Sequence, residues 1–260
     1  MRSRPACPTR SERSPMPLPN LIIAGSQKCG TTWLHQSLSK SSAIFGSTPK
    51  ELGYFNRPDH STPDARATYI AHFPQTAGAK YYMESTPHYF RTPKRRVDIA
   101  GNISAMLENP RIIVIFRDPV DRYASAFIHH IMRGRFEYSP EITEITDAQG
   151  MLTLGRYASN LRHWLPYFPD IKVLFHDDLL SDPVALIADV MAFLGLDNDI
   201  DDEALMFRTN DKSVKVRRKG LNWEVMPALS PDAAAQLRDF YRSDILDLQS
   251  LTGRDLSHWL

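Results

Sequence analysis

Residues 21–34 read LIIAGSQKCGTTWL, and this stretch decides the fold class. Its first residues are apolar and predict a short strand that is buried on both faces. A polar loop follows Gly25, and Gly30, Thr31 and Thr32 open a predicted helix. The unpaired N–H groups and the dipole at a helix N-terminus attract anions, so the strand, loop and helix together predict a phosphate-binding loop.

The loop departs from the Walker A pattern G-x-x-x-x-G-K-[ST] in one place. Gly25 and Gly30 keep the spacing of its two glycines, but Thr31 stands where Walker A has its lysine. The lysine of this chain lies inside the loop, at Lys28. We therefore expect a loop that holds a phosphate group but lacks the lysine that Walker A loops place at a γ-phosphate.

The composition is that of an ordinary globular protein, with 42% hydrophobic and 23% charged residues. The formal net charge of +1 gives no global field toward nucleic acid or membranes, so an anion site must be local. The two cysteines, Cys7 and Cys29, form neither a disulfide framework nor a metal-binding pattern, which favours a reducing compartment. No window approaches the ~18 apolar residues of a membrane span, so no membrane anchor is predicted.

Residues 1–19 are predicted to be a disordered leader, and residues 20–260 a single domain. The leader is rich in Arg, Ser and Pro and contains no apolar segment typical of a secretory signal. A transit peptide is the alternative, but the frequent prolines disfavour an amphipathic helix. A start at Met16 is a further alternative.

Apolar strands alternate with amphipathic helices along the rest of the chain. Strands are predicted at residues 20–24, within 45–56, and at 80–85, 111–116 and 171–175. Helices are predicted at residues 31–39, 64–73, 93–108, 118–133, 156–167, 183–194 and 230–252, whereas residues 204–220 look irregular and basic. This order predicts an α/β fold of the P-loop nucleotide-binding type, with a central parallel sheet flanked by helices. Ligands of such sheets bind at the carboxyl ends of the strands.

A second motif, RDPVDRYAS at residues 117–125, begins where the predicted strand RIIVIF ends. Arg117 therefore lies at the ligand edge of the sheet, and Ser125 lies about two turns into the following helix. An arginine fork and a serine hydroxyl can hold one phosphate group together. The alternative is that Arg117 forms a structural ion pair with Asp118 or Asp121.

The loop and this motif together resemble the sulfotransferases that use 3′-phosphoadenosine 5′-phosphosulfate (PAPS). The pattern is most similar to the heparan-type carbohydrate sulfotransferases and their bacterial relatives, over residues 20–260. The resemblance also rests on four further segments, which are PKELGYF (49–55), ESTPHYF (84–90), KGLNWEVMP (219–227) and LTGRDLSHWL (251–260). It implies a PAPS-dependent enzyme that requires no metal. Since no membrane anchor is predicted, we expect the protein to be cytoplasmic, where PAPS is made.

The resemblance implies a set of nucleotide contacts. By this resemblance the 5′-phosphosulfate is bound by the loop residues Gln27, Lys28, Cys29, Gly30, Thr31 and Thr32. The 3′-phosphate is bound by Arg117, Ser125 and the basic segment Arg218, Lys219 and Gly220. The alternative interpretation of that segment is a solvated loop. Tyr157 matches a tyrosine that stacks near the adenine, with packing in the core as its alternative.

The resemblance also implies the catalytic groups. Lys28 would stabilise the leaving 5′-phosphate, and a general base must accept the proton of the attacking group. In heparan-type enzymes a glutamate in a K-E-x-x-F-F context has that role, and Glu51 matches it. Gly53 and Asn56 depart from the His and Asp of that pattern, which leaves a surface carboxylate as the alternative for Glu51. His88 is the second candidate base, because cytosolic members of the family use a histidine in this part of the chain.

Two other functions are compatible with the sequence. A P-loop kinase or NTPase would explain the loop and the sheet. This chain, however, lacks the lysine that such enzymes have after the second glycine, and Asp118 is a poor candidate for a Mg²⁺ ligand. A protein that binds adenosine 3′,5′-bisphosphate (PAP), the product left after transfer from PAPS, but has lost activity would explain the departures around Glu51. The acceptor would be a carbohydrate or a small molecule with a hydroxyl or amine. Residues 60–74 and 136–154 could line the part of the site where the acceptor binds. Neither segment is basic enough to favour a long polyanionic chain as the acceptor.

Overall fold

The computed structural model describes residues 16–94, 97–207, 209 and 212–260, and a parallel sheet lies at its centre. Its described strands are β1 (Leu21–Gly25), β2 (Ile44–Gly46), β3 (Tyr81–Ser85), β4 (Arg111–Phe116), β5 (Glu141–Ile142), β6 (Lys172–Phe175) and β7 (Ala228–Leu229). Five of them form the main sheet in the order β2-β3-β1-β4-β6, with every pairing parallel. The short strands β5 and β7 pair with each other.

Helices connect and flank these strands. The described helices are α1 (Thr31–Leu38), α2 (Pro63–Ile70), α3 (Ile99–Met106), α4 (Pro119–Met132), α5 (Tyr157–Trp164), α6 (His176–Ser181), α7 (Pro183–Leu194), α8 (Lys212–Arg218) and α9 (Pro231–Thr252). Short 3₁₀ turns lie at Tyr54–Asn56, Ala148–Gly150, Thr153–Gly155, Glu203–Leu205 and Ser257–Trp259.

The central strands are almost wholly apolar because both faces of the sheet are covered. Every residue of β1 is buried, and so are all residues of β4 after Arg111. In register, Leu21 of β1 lies opposite Met83 of β3 on one side and Arg111 of β4 on the other. After β1 the chain forms β2 and β3 on one side of that strand, and it then crosses to the other side to form β4. This reversal places a crevice at the carboxyl end of β1, where ligands bind in open α/β sheets.

The helix ends follow their local sequence signals. Asp118 caps α4 through its side chain, and Pro119 occupies the first turn, where no intrahelical N–H bond is lost. Gly195 ends α7 in a left-handed conformation, which confirms the predicted stop at that residue. Ser230 caps α9 in the same way as Asp118 caps α4. These caps fix where the helices beside the crevice begin and end.

The α/β architecture and the parallel sheet are confirmed, and two element predictions are wrong. The helix predicted from residue 93 begins only at Ile99, because Asp98 caps it there. Residues 204–220 are not irregular throughout, since α8 lies within them and buries Val216 against Ile128 and Met132. Of the predicted leader, residues 1–15 lie outside the described residues. No helix in the described part of the chain combines the length and apolarity needed to cross a membrane.

Candidate functional site

A cleft of about 1140 Å³ opens beside the loop between β1 and α1. Its walls come from the segments that follow β1, β3, β4 and β6, which places it at the carboxyl edge of the sheet. Nine residues singled out from the sequence line it together, namely Gln27, Lys28, Gly30, Thr31, Thr32, Glu51, His88, Arg117 and Ser125. The fold therefore brings most of the predicted site into one place.

The loop is shaped for an anion. The backbone N–H of Ser26 donates to the carbonyl of Ile115 in β4 (3.0 Å), which ties the loop to the sheet. Lys28 (φ 70°) and Gly30 (φ 106°) are left-handed, a conformation from which concave rows of N–H groups are built. Gly30 caps α1 without a side-chain hydrogen bond, so the capping residue leaves the N–H groups of the helix N-terminus available to an anion. A Cβ on Gly30 would lie 3.0 Å from Leu179, so the close approach also requires glycine.

Cys29 and Tyr157 lie behind this loop and not in the cleft. The Tyr157 ring is buried and stacks on Phe116, with ring centroids 4.4 Å apart. Its hydroxyl donates to the backbone carbonyl of Arg117 (2.9 Å) and lies 3.4 Å from Cys29 Sγ. Burial raises the pKa of the Cys29 thiol, which therefore stays protonated at neutral pH. Tyr157 thus supports the loop and the end of β4 from inside the core, as its alternative interpretation expected.

Arg117 and Ser125 face the cleft from the end of β4 and from α4. Arg117 Nη2 donates to Asp121 Oδ2 (2.8 Å), so the structural ion pair forms while the guanidinium still lines the cleft. Asp118 Oδ1 accepts from the backbone N–H groups of Val120 and Asp121. The carboxylate that a kinase would need for Mg²⁺ is therefore used as a helix cap.

The basic segment places Lys215 in the wall of the cleft. Arg218, Lys219 and Gly220 are not among the cleft residues. Lys219 Nζ donates to the carbonyl of Met132 (3.0 Å), and Gly220 (φ 65°) ends α8. Lys215, about one turn before Lys219, lines the cleft. Only the helical spacing of α8 reveals which cation reaches the site, and the sequence pattern did not predict that helix.

The two candidate bases, Glu51 and His88, both line the cleft. The Glu51 side chain is half exposed, and Lys50 Nζ lies 3.2 Å from its Oε1. His88 Nε2 lies 3.0 Å from Gln27 Nε2. The hydrogen bond to the Gln27 amide engages this imidazole nitrogen within the protein. Burial lowers the pKa of His88, which keeps the ring neutral.

The family model described as "Sulfotransferase domain" matches residues 18–245. The chain belongs to the sulfotransferase family. It is 29% identical over 258 residues to human "Heparan sulfate glucosamine 3-O-sulfotransferase 3B1", an alignment that covers 92% of this chain and 64% of that relative. This sulfotransferase thus spans less than two thirds of the length of that curated relative.

Two solved structures share its fold. A sulfotransferase from Alicyclobacillus acidocaldarius superposes with a TM-score of 0.73 at 23% identity, over 94% of this chain and 99% of that one. Mouse sulfotransferase SULT7A1 complexed with PAP superposes with a TM-score of 0.50 at 14% identity, over 87% of this chain and 84% of that one. The likeness of both extends through the sheet and its helices, and it supports the fold.

An aromatic end of the cleft was not found from the sequence of this sulfotransferase. Trp33 and Phe207 line it and stack on each other, with centroids 6.0 Å apart and planes 24° apart. Trp33 Nε1 donates to the carbonyl of Leu205 (3.3 Å), which fixes the indole. Trp33 follows the loop directly, so a signal existed in GTTW. Phe207 lies far away in the chain, in a segment with no recognisable motif.

The electrostatics of the cleft are locally positive although the chain is nearly neutral. Among the described residues, Lys28, Arg117, Arg133 and Lys215 line it, against the carboxylates Glu51 and Asp182. Burial, followed by the charge of Lys28, lowers the pKa of His129 to about 3. Burial and Arg117 likewise lower the pKa of His176 to about 4. These histidines are therefore neutral at pH 7, and the lysines and arginines carry the field.

Metal ligands show no comparable clustering. Within the ranges that the structure describes, no group of three or more His, Cys, Asp or Glu side chains is arranged to hold a metal ion.

Proposed function

We propose that this sulfotransferase moves a sulfuryl group from PAPS to a hydroxyl or amine of a carbohydrate or small-molecule acceptor. One observation carries the proposal. The phosphate-binding loop with Lys28, the motif with Arg117 and Ser125, and the carboxylate of Glu51 all line one cleft. A related fold has been solved with PAP, the product that PAPS leaves behind, which supports the same donor here.

The residues of the cleft suit each part of the donor. The loop N–H groups, Lys28 and the hydroxyls of Thr31 and Thr32 would bind the 5′-phosphosulfate. Arg117, Ser125 and Lys215 would bind the 3′-phosphate, a group that ATP lacks. The stacked Trp33 and Phe207 offer a flat apolar surface for the adenine, the role that the sequence assigned to Tyr157.

The chemistry assigned to these residues is an in-line displacement at sulfur. Glu51 accepts the proton of the acceptor hydroxyl or amine, whose oxygen or nitrogen forms a bond to the sulfur. The bond between sulfur and the bridging oxygen of the 5′-phosphate breaks, and its electron pair stays on the phosphate of PAP. Lys28 and the N–H groups of the loop stabilise the charge that develops there. No step in this scheme requires a metal.

The acceptor would enter beside Glu51. His88, whose pKa responds to burial and then to the charges of Glu51 and Lys50, lies on that side with Pro87, whereas residues 60–74 and 136–154 do not contribute to the lining. The curated relative is named for transfer to glucosamine in heparan sulfate, which favours a sugar hydroxyl. We propose a short carbohydrate or another small hydroxylated molecule as the acceptor, encountered in the cytoplasm.

Binding of nucleotides by isothermal calorimetry tests this proposal directly. We expect micromolar binding of PAP and much weaker binding of 5′-AMP, which lacks the 3′-phosphate. Binding of ATP with Mg²⁺ and none of PAP would overturn the proposal in favour of a phosphotransferase. Binding of PAP without turnover on a broad panel of acceptors would instead favour a protein that has kept the nucleotide site and lost activity.

A further inference from the structure

Lys50 lies at the junction between the phosphate-binding loop and the candidate base. Its Nζ is 3.4 Å from Thr31 Oγ1 at the N-terminus of α1 and 3.2 Å from Glu51 Oε1. Both of these partners line the cleft. Lys50 is not itself among the lining residues, so its ammonium connects the loop and the candidate base from just outside the cleft wall.

The contacts of this ammonium are incomplete for a charge in its position. The Lys50 side chain is only 16% exposed, and burial lowers its pKa. An ammonium has three N–H donors, and the described residues supply Nζ with two acceptors, one of them long and the other on a half-exposed carboxylate. Burying a charge is costly unless it is paired and fully hydrogen-bonded. An anion in the cleft would supply the contact that is missing.

We propose that the Lys50 ammonium binds an oxygen of the sulfuryl group of PAPS, and so acts as a second catalytic cation beside Lys28. This inference rests on the proposed function. It divides the charge of the donor between two lysines. Lys28 serves the 5′-phosphate that leaves, and Lys50 serves the group that is transferred.

The position of Lys50 also links the two halves of the reaction. Through Glu51 it orients the carboxylate that accepts the proton, and through Thr31 it contacts the element that holds the phosphate. As the sulfuryl group moves from the loop toward the acceptor, it stays within reach of one ammonium. The same cation can therefore bind the donor before transfer and stabilise the sulfuryl oxygens during it.

A comparison of PAPS with PAP isolates this contact, because the two nucleotides differ only by the sulfuryl group. We would measure the Kd of both for the wild type and for Lys50→Met, by calorimetry at pH 7. The expected result is a loss of about tenfold or more in affinity for PAPS, with the affinity for PAP changed by less than about twofold. An equal loss for both nucleotides would mean that Lys50 only supports Thr31, and it would overturn the inference.

Two further variants separate a contact with the sulfuryl group from a general loss of positive charge in the cleft. Lys28→Met should weaken both nucleotides, because its partner is the phosphate that they share. Glu51→Gln keeps the ammonium and removes its anionic partner, so PAPS should bind as well as before or more tightly. Weaker binding of PAPS to Glu51→Gln would contradict the role given to Lys50.

The wild type separates this inference from the proposed function. If the wild type binds neither PAP nor PAPS, the proposed function itself fails. If the wild type binds both, the Lys50→Met variant decides the role of Lys50. A variant that unfolds in one cooperative thermal transition and keeps the wild-type ratio of the two Kd values would refute only that role.

Discussion

Replacing His35 by asparagine should flatten the loss of stability that we expect between pH 7 and pH 5. His35 lies in α1, directly after the phosphate-binding loop, and is 8% exposed. Its Nδ1 lies 2.7 Å from Ser85 Oγ in β3. Burial, and then the charge of Lys50, lower the pKa of His35 from its ordinary 6.5 to about 4. The imidazole is therefore neutral in the folded protein until the solution is distinctly acid.

The sign and size of the effect follow from proton linkage. Between pH 6.5 and pH 4 the unfolded chain binds a proton at this position and the folded protein does not, so stability falls as the pH falls. Below about pH 4 both states are protonated, and no further loss arises from this group. With those two pKa values, the loss between pH 7 and pH 5 is about 2 kcal/mol. That is a sizeable share of the roughly 5–15 kcal/mol typical of a folded domain.

Urea unfolding followed by tryptophan fluorescence at pH 7, 6 and 5 measures this loss. Asparagine places an amide near the position of Nδ1 and does not titrate, so His35→Asn should lower stability at pH 7 and lose less of it on acidification. The difference between the two slopes should be about 2 kcal/mol over the two pH units. His130, which is also buried and has its pKa lowered to about 4, stays in the variant and keeps part of the slope.

Ser85→Ala is the matched control for this experiment. It removes the hydrogen-bond partner but leaves the imidazole buried, and burial is the larger cause of the lowered pKa. Its stability should fall at every pH, with the slope of the wild type preserved. Equal slopes for His35→Asn and the wild type would refute the reasoning, because they would mean that the ring is protonated as easily in the fold as outside it.

Three further predictions concern the proposed reaction, followed as formation of PAP from PAPS with an acceptor that the panel identifies. Lys28→Ala should lower turnover by ~10²-fold or more, since it removes a charge that acts on the leaving phosphate; near-normal kcat would exclude it from the mechanism. Glu51→Gln should lower kcat and leave the affinity for PAP unchanged, whereas full activity there and its loss in His88→Ala would assign the base to His88. Arg117→Ala should raise the Kd of PAP but not of 5′-AMP, and an unchanged Kd for PAP would remove Arg117 from the 3′-phosphate site.

The sequence predicts the fold well wherever burial is continuous along the chain. The strand at residues 111–116 has the predicted bounds, because an unbroken apolar run follows Arg111 and ends at Phe116. The helix at residues 183–194 does too, because a proline starts it and a glycine ends it. Among the α8 side chains that the structure describes, Val216 is buried and Val214 is half-buried, and two apolar residues at a spacing of two create no helical period. Weak amphipathic signals are therefore where prediction from the sequence failed.

The site divides in a similar way. Contiguous motifs at the ends of strands are brought together because the parallel sheet aligns those ends, and this accounts for Lys28, Thr31 and Arg117. The direction of a side chain is not encoded in a motif. Tyr157, which the resemblance assigns to the nucleotide, packs in the core away from the cleft, whereas Trp33, which it does not assign there and which is only 4% exposed, lines it. Lys215 and Phe207 also line the cleft but lie outside any recognisable sequence pattern, so the folded structure is needed to identify them.

The choice between the two candidate bases depends on hydrogen bonds that no sequence pattern specifies. His88 and Glu51 both reach the cleft, and both lie in segments that resemble family motifs. The imidazole nitrogen that faces Gln27 is already engaged in a hydrogen bond, so using that nitrogen as a base would require the bond to break. Glu51 pairs with Lys50 through one oxygen, and a carboxylate has a second oxygen that can take the proton of an acceptor. The same pairing that orients Glu51 also holds the ammonium beside the loop, so the candidate base and the phosphate-binding loop both contact a single lysine.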